Sequence, residues 1–319
     1  MSGFKFNFIT DDDGDGDSAS DKNLGLGAGA VICEQSKDRD ALIELKREGS
    51  DGGGDSGAPC IRPAKKLTFN DDLVQAICKN VYQVETLTVC GAEYVHRVTS
   101  DEEVASSALR ESVTQDSDII PLVYEGGLKI WECSLDLVEY LASSDVDFAG
   151  ANVLELGCGA ALPGIHALGQ GASVVFQDYN AEVLELVTIP NVVNNTPDDD
   201  DDRVAALPGR CQFWAGDWGA LERKWKELQL RFDVILTSET IYSEAAQPHL
   251  YSLIKAVLKP AGAAYVAAKV HYFGVGGGTR QFVHLVEEDG AFNVTTCFAT
   301  ESGLRREILM MRWKTAGAT

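Results

Sequence analysis

Residues 154–164 read LELGCGAALPG, with a carboxylate at Glu155 followed by Gly157 and Gly159. Glycines in that spacing, directly after an apolar run, suit a loop whose backbone comes close to a ligand. Two phosphate ligands fail the spacing test. A dinucleotide fingerprint needs a third glycine at position 162, which is Leu162. A triphosphate loop needs a lysine, and the second glycine-rich run continues Gly278-Thr279-Arg280. What remains is an acidic residue two places before the first glycine, and a carboxylate there suits a cation.

Three later apolar runs also end in polar groups. Asp178 closes the next one, where a carboxylate accepts the hydroxyls of a ribose. Gly216-Asp217-Trp218 closes the third and offers an acceptor for an adenine amine plus an aromatic face. Ser238-Glu239-Thr240 closes the fourth. Any one such acid would as readily cap a helix. Four in register on successive runs point to one rim and one ligand. A ligand with a positive charge, a ribose and an adenine but no phosphate is S-adenosylmethionine.

These groups share a rim only if the runs are parallel strands. NVLELG, ASVVFQDYN, CQFWAGDW, FDVILTSE and AAYVAAKV have strand length, and the first, second and fourth are followed by the helical stretches LPGIHALGQG, AEVLELVTIPNVVNN and AAQPHLYSLIKAVLKPAG. TRQFVHLVEEDG predicts a further helix, and FNVTTCFAT and REILMMRW two last strands paired as an antiparallel hairpin. The expected fold class is α/β: a doubly wound, seven-stranded, Rossmann-like sheet with ligands beyond the carboxyl ends of its strands. Ahead of it, PLVYEGGLKIWECSLDLVEYLASS predicts a short strand, a turn and a helix from about Ser134 to Leu141, with Ser134 as its cap. Segment 74–98 has the β-branched content of one or two strands, and SDEEVASSALRES that of a short amphipathic helix or a loop.

The chain has 319 residues, 45% of them apolar, and a net charge of −22. That charge argues against a grip on nucleic-acid phosphates and fits a basic partner. No apolar run is long enough to predict a membrane span, and the N-terminus turns acidic where a leader's apolar core should start. Eight cysteines without a CxxC pair suggest reduced thiols, no zinc site, and a cytoplasmic or nuclear protein. Residues 1–65 read as a mostly disordered acidic, glycine-rich tail, 66–125 as an extension containing strands, and 126–319 as the core domain. Asp11, Asp13, Asp15 and Gly16 open like a calcium loop, but Lys22 stands where a glutamate should close it. The acid run within 196–209 reads as a solvated loop insertion, and glycines 274–278 as a mobile loop over the site.

GGLKIWECSLDL, VLELGCGAALPGI, FQDYNAEVLELVTIPNVV, LTSETIY and AKVHYFGVGGG together closely resemble the protein-histidine N-methyltransferases that act on a large-subunit ribosomal protein, a branch of the seven-strand methyltransferases. The resemblance spans about residues 119–313. It implies that Trp131 and Glu132 lie over S-adenosylmethionine from the segment before the core. It implies that Glu155, Gly157 and Gly159 bind the methionine end, and that Asp178 holds the ribose with Tyr179 and Asn180 beside it. Asp217 and Trp218 would contact adenine, and Ser238 would lie under the sulfonium. Glu239-Thr240-Ile241-Tyr242 matches the acidic-x-x-aromatic motif that this group sets beside the acceptor. Ala160-Ala161 departs from the Ser-Gly type pair of many relatives.

Methyl transfer to histidine needs one ring nitrogen with a bare lone pair while the other keeps its hydrogen. A carboxylate on that N–H would fix the tautomer, a role that falls to Glu239, with Tyr242 orienting the ring. His271 is a candidate lining residue of the acceptor pocket. His96, His166, His249 and His284 show no metal spacing. The rival readings are a lysine methyltransferase of the same group, a cofactor-bearing docking module without catalysis and, third, a small-molecule methyltransferase.

Overall fold

The computed structural model describes residues 62–107, 109–114, 118–196, 201–301 and 303–314. The calcium-like run at 11–22 and the acidic tail up to residue 61 lie outside them. The strands are β1 (Lys65–Lys66), β2 (Val84–Val89), β3 (Ala92–Arg97), β4 (Asn152–Leu156), β5 (Ser173–Asp178), β6 (Cys211–Ala215), β7 (Phe232–Ser238), β8 (Leu258–Lys269), β9 (Phe292–Ala299) and β10 (Arg306–Trp313). One sheet has the order β1-β6-β5-β4-β7-β8-β10-β9. β6, β5, β4, β7 and β8 run parallel, and β10 lies antiparallel between β8 and β9. The seven expected strands are all present. The eighth, β1, is a two-residue antiparallel addition on the β6 edge, with Lys65 opposite Ala215.

Strand order reverses at β4, so the ends of β4, β5 and β7 bound the crevice where such sheets bind ligands. Alternate residues of β4 serve opposite faces: Val153 joins one core with Phe176 and Phe213, and Leu154 joins the other with Leu250 and Trp225. Phe176 and Phe213, paired across β5 and β6, stack with ring centres 5.2 Å apart. Among the described residues no helix is long and apolar enough to cross a membrane.

Several local expectations are corrected. Segment 74–98 does contain two strands, β2 and β3, but a helix, Asp71–Lys79, overlaps its start. Asn70 caps it, its Oδ1 accepting the Leu73 N–H at 3.0 Å. SDEEVASSALRES forms two short helices, Asp101–Ala105 and Arg110–Thr114. The expected strand near 120 is only a bridge between Ile120 and Tyr124. The following helix starts earlier, at Glu132, and Ser134 does not cap it; its hydroxyl donates back to Trp131 O at 2.7 Å. Residues Asp201–Arg210 of the acidic insertion are helical, not loop.

The β2–β3 hairpin docks on the helix after β5, which runs Ala181–Val183, widens into a π-turn at Leu184–Thr188, and continues Ile189–Asn194. Pro190 has no N–H to give to the Leu186 carbonyl, and the Arg97 guanidinium takes that acceptor instead. Asn195 pairs with both backbone groups of Val95, at 2.8 and 2.7 Å, and Asn191 accepts the Arg97 N–H at 2.8 Å. Residues four apart on a helix thus meet residues two apart on a strand edge.

Candidate active site

β4 ends at Leu156, and the chain turns through 157–161 into the helix Leu162–Gly169. Three residues of the turn are left-handed: Gly157 at φ +60°, Gly159 at +47° and Ala161 at +64°. Glycine adopts such angles freely, whereas Ala161 carries about 1–2 kcal/mol of strain. Close approach also demands the glycines. A Cβ on Gly157 would lie 2.5 Å from Thr240 Cγ2, and one on Gly159 would lie 3.0 Å from the Gly127 carbonyl. Asn191 Nδ2 donates to Ala160 O at 3.0 Å and Thr188 Oγ1 to Gly159 O at 2.6 Å, so the helix after β5 fixes the loop from behind. Glu155 does not face the crevice. It is 2% exposed, and its Oε2 accepts the Gly164 N–H at 2.9 Å, one of the amides that a first helical turn leaves unpaired. Burial pushes its carboxyl well above the usual range; the Gly164 N–H opposes that and the Asp178 charge adds to it.

Asp178 closes β5 with each carboxylate oxygen accepting one N–H at 3.0 Å, from Gly159 and from Asn180. Burial raises its pKa to about 6 against the pull of those hydrogen bonds. Gln177 beside it joins three strand ends. Its Oε1 accepts the Gly157 N–H at 3.3 Å and the Trp218 indole N–H at 2.9 Å, while Nε2 donates to Gly216 O at 3.1 Å. Asp217 caps the helix Trp218–Glu227 by accepting the Gly219 N–H at 2.8 Å. Tyr179 and Asn180 serve the segment before the core. The Tyr179 hydroxyl donates to Leu122 O at 3.1 Å, and Asn180 Nδ2 to Val123 O at 2.8 Å, latching 122–125 over the strand ends.

Ser238 closes β7, half-buried, and Glu239 turns the chain at φ +56°, an uncommon angle that concentrates at functional sites. Its side chain, 7% exposed, points inward, with Oε1 3.6 Å from Lys269 Nζ. Tyr272 donates its hydroxyl to Oε2 at 2.5 Å, and Oε1 has no hydrogen-bond partner. Lys269 also reaches Glu132 Oε2 at 3.4 Å, with its ammonium 5.7 Å from the Trp131 ring centre. The structure therefore brings Trp131, Glu132 and Glu239 together around one lysine. Tyr242 borders that cluster, its ring centre 6.3 Å from that of Tyr272, and donates to Glu125, whose other oxygen accepts the Leu122 N–H at 2.6 Å.

The glycines at 274–278 form a pinned turn instead of a loose loop. Tyr272 N–H donates to Gly277 O and Gly277 N–H to Tyr242 O, both at 3.0 Å. A Cβ on Gly277 would fall 2.3 Å from Ile241 O. His271 is exposed at the tip, its ring 5.0 Å from that of Phe273. Among the described residues no group of three His, Cys, Asp or Glu side chains could hold a metal ion.

Sequence reasoning missed Gln177, Lys269, Tyr272 and Glu125. Two had a signal: a polar residue inside VVFQD and a lysine ending AAYVAAK, both otherwise apolar strands. The donor set fits S-adenosylmethionine. Asp178 and Asp217 form an acidic rim at the strand ends, Glu155 supports the loop from inside, the glycines leave backbone where a Cβ would intrude, and the Asp178 oxygens keep lone pairs for hydroxyls.

The profile of the lysine methyltransferase family matches residues 122–288. The histidine protein methyltransferase 1 homolog of Bos taurus is 35% identical over 303 residues, 88% of this chain and 80% of that protein. Its Mus musculus counterpart is 41% identical over 275 residues, covering 80% and 76%. The EEF1A lysine methyltransferase 3 of Mus musculus is 30% identical over 142 residues, covering 44% and 55%. With this glycine loop, this acidic rim and relatives matched over most of both chains, the protein belongs to the histidine protein methyltransferase family of S-adenosylmethionine-dependent enzymes.

Proposed function

We propose that the acceptor is a histidine ring nitrogen in a basic protein of the large ribosomal subunit. The observation that carries this reading is Glu239 Oε1, a buried carboxylate oxygen whose ion-pair partner, the Lys269 ammonium, stands 3.6 Å away, beyond hydrogen-bond length. It belongs to the turn that backs onto the glycine loop through Thr240. An arriving imidazole supplies a close donor: one nitrogen gives its N–H to Oε1 while the other presents its lone pair. The same carboxylate then faces the positive charge that develops on the ring. Tyr242, its hydroxyl held by Glu125, orients the ring from the far end of the turn. Bound S-adenosylmethionine supplies an electrophilic methyl on a sulfonium. The chain contributes orientation and exclusion of water, with no strong base required. A lysine acceptor has one nitrogen and no tautomer to fix.

The net charge of −22 supports a basic substrate. Such a substrate would be met in the cytoplasm or nucleus, and we assign the enzyme there.

The test is transfer of labelled methyl from S-adenosylmethionine to lysate of cells lacking this enzyme, with the product located by mass spectrometry. Label on a histidine of a large-subunit ribosomal protein is the expected result. Label on lysine would move the chain to the sister activity, and no label with cofactor still bound would favour a docking module.

A further inference from the structure

Lys269 ends β8 almost wholly inside the protein, 4% exposed. Its ammonium reaches two carboxylates from different parts of the chain. Glu132 Oε2, at 3.4 Å, opens the helix that follows the segment before the core. Glu239 Oε1, at 3.6 Å, belongs to the turn after β7. The Tyr272 ring centre lies 5.9 Å away, and the Tyr272 hydroxyl accepts the Lys269 backbone N–H at 3.3 Å while donating to Glu239. Cys133 and Asp136 face the cluster from the helix Glu132–Ser143, and Arg306 is the β10 register partner of Lys269. Arg306 is committed elsewhere: its Nε donates to Asp136 Oδ2 at 2.5 Å.

We propose that Lys269 is a positioning residue for methyl transfer, its ammonium binding the acceptor-side Glu239 and the cofactor-side Glu132 into one rigid unit. The proposal rests on the methyl-transfer reading above. Two carboxylates that share one buried counter-ion lose it together when the lysine is neutralised. Glu132 keeps solvent, its side chain 32% exposed, whereas Glu239 at 7% does not, so Glu239 is the one that takes up a proton. A protonated Glu239 cannot accept the ring N–H and offers no charge to the product.

The test compares the wild type with Lys269→Met, Lys269→Gln and Lys269→Arg. Methyl transfer to the enzyme-deficient lysate is followed as a pH profile, and protonated carboxyl is followed by infrared difference spectroscopy without substrate. Both neutral variants should move the acid limb of turnover upward by about one unit or more, about a tenfold loss at the original limb. They should also show a new protonated-carboxyl band that Lys269→Met combined with Glu239→Gln removes. Lys269→Arg should keep the wild-type limb. Neutral variants with the wild-type limb and no new band would overturn the proposal, as would Lys269→Arg with a shifted limb. Where neither neutral variant folds, the arginine variant decides alone. If the wild type labels nothing, the methyl-transfer reading fails, and the infrared comparison still tests the lysine.

Discussion

Replacing Asp178 with asparagine separates two effects of its carboxylate. The group is buried, and its pKa rises from 3.8 to about 6 because burial disfavours the charge more than the N–H groups of Asn180 and Gly159 favour it. In the unfolded chain the carboxyl is deprotonated above about pH 4, whereas in the folded chain it holds its proton up to about 6. The folded state therefore binds more protons across that window, and stability falls as pH rises through it, then levels off. A shift of about two units at about 1.4 kcal/mol each gives about 3 kcal/mol. Asp178→Asn removes that penalty, but its NH2 must face one of the two N–H donors, at about 1–3 kcal/mol. At pH 7.5 the variant should match the wild type or exceed it by up to about 2 kcal/mol. Cofactor affinity should move the other way. Losing charge-assisted bonds to a ribose, worth about 1.5–3 kcal/mol, weakens binding about 10- to 100-fold. Urea denaturation at pH 5, 6 and 7.5 and calorimetric titration with S-adenosylhomocysteine measure both. Parallel stability curves for the two proteins would refute the burial argument, and unchanged affinity would refute the ribose role.

Three further substitutions test the scaffold and the turn. Gly164→Ala would set a Cβ 2.3 Å from Glu155 Oε2 and 2.5 Å from Phe176 Cε1. It should destabilise by about 2–3 kcal/mol, a fall in melting temperature of about 5–10 °C, and an unchanged melting curve would mean the loop has slack. Asn180→Ala removes the bonds to Val123 O at 2.8 Å and from the Glu125 N–H at 3.4 Å. Amide exchange in 122–125 should quicken by at least tenfold, and equal protection would assign the latch to other contacts. Glu239→Gln should leave cofactor affinity intact and lower turnover by about 10²-fold, since the side chain keeps its shape and loses its charge. Equal turnover would remove Glu239 from the mechanism.

The sheet was legible because parallel strands buried on both faces appear as unbroken apolar runs, and each run here is bounded by turn residues. What escaped lacked that signal. β1 is two exposed lysines that become a strand only by pairing with β6. The helix Asp71–Lys79 declares itself through its cap, Asn70, while its apolar residues blend into the β-branched stretch that follows. Pro190, a residue type that breaks helices, instead accompanies a π-turn, and Arg97, distant in sequence, satisfies the freed carbonyl.

The rim itself was legible in position and not in orientation, for a reason built into the fold. The carboxyl end of each parallel strand leads towards the N-terminus of the next helix, where the first amides lack partners. Acids there meet two demands at once, a ligand's and the helix's own. In this structure Glu155 serves Gly164 and Asp217 serves Gly219, as a helix requires. Glu239 differs in kind. No helix begins behind it until Gln247, so no first-turn amide claims its carboxylate. The backbone there is left-handed, and its carboxylate is met by side chains, the Tyr272 hydroxyl at 2.5 Å and the Lys269 ammonium at 3.6 Å. A strand-end acid is informative when the next helix is too far away to use it, and that distance can be estimated from the sequence. Here the strand ends at SET, and the helical pattern resumes only near AAQPHL.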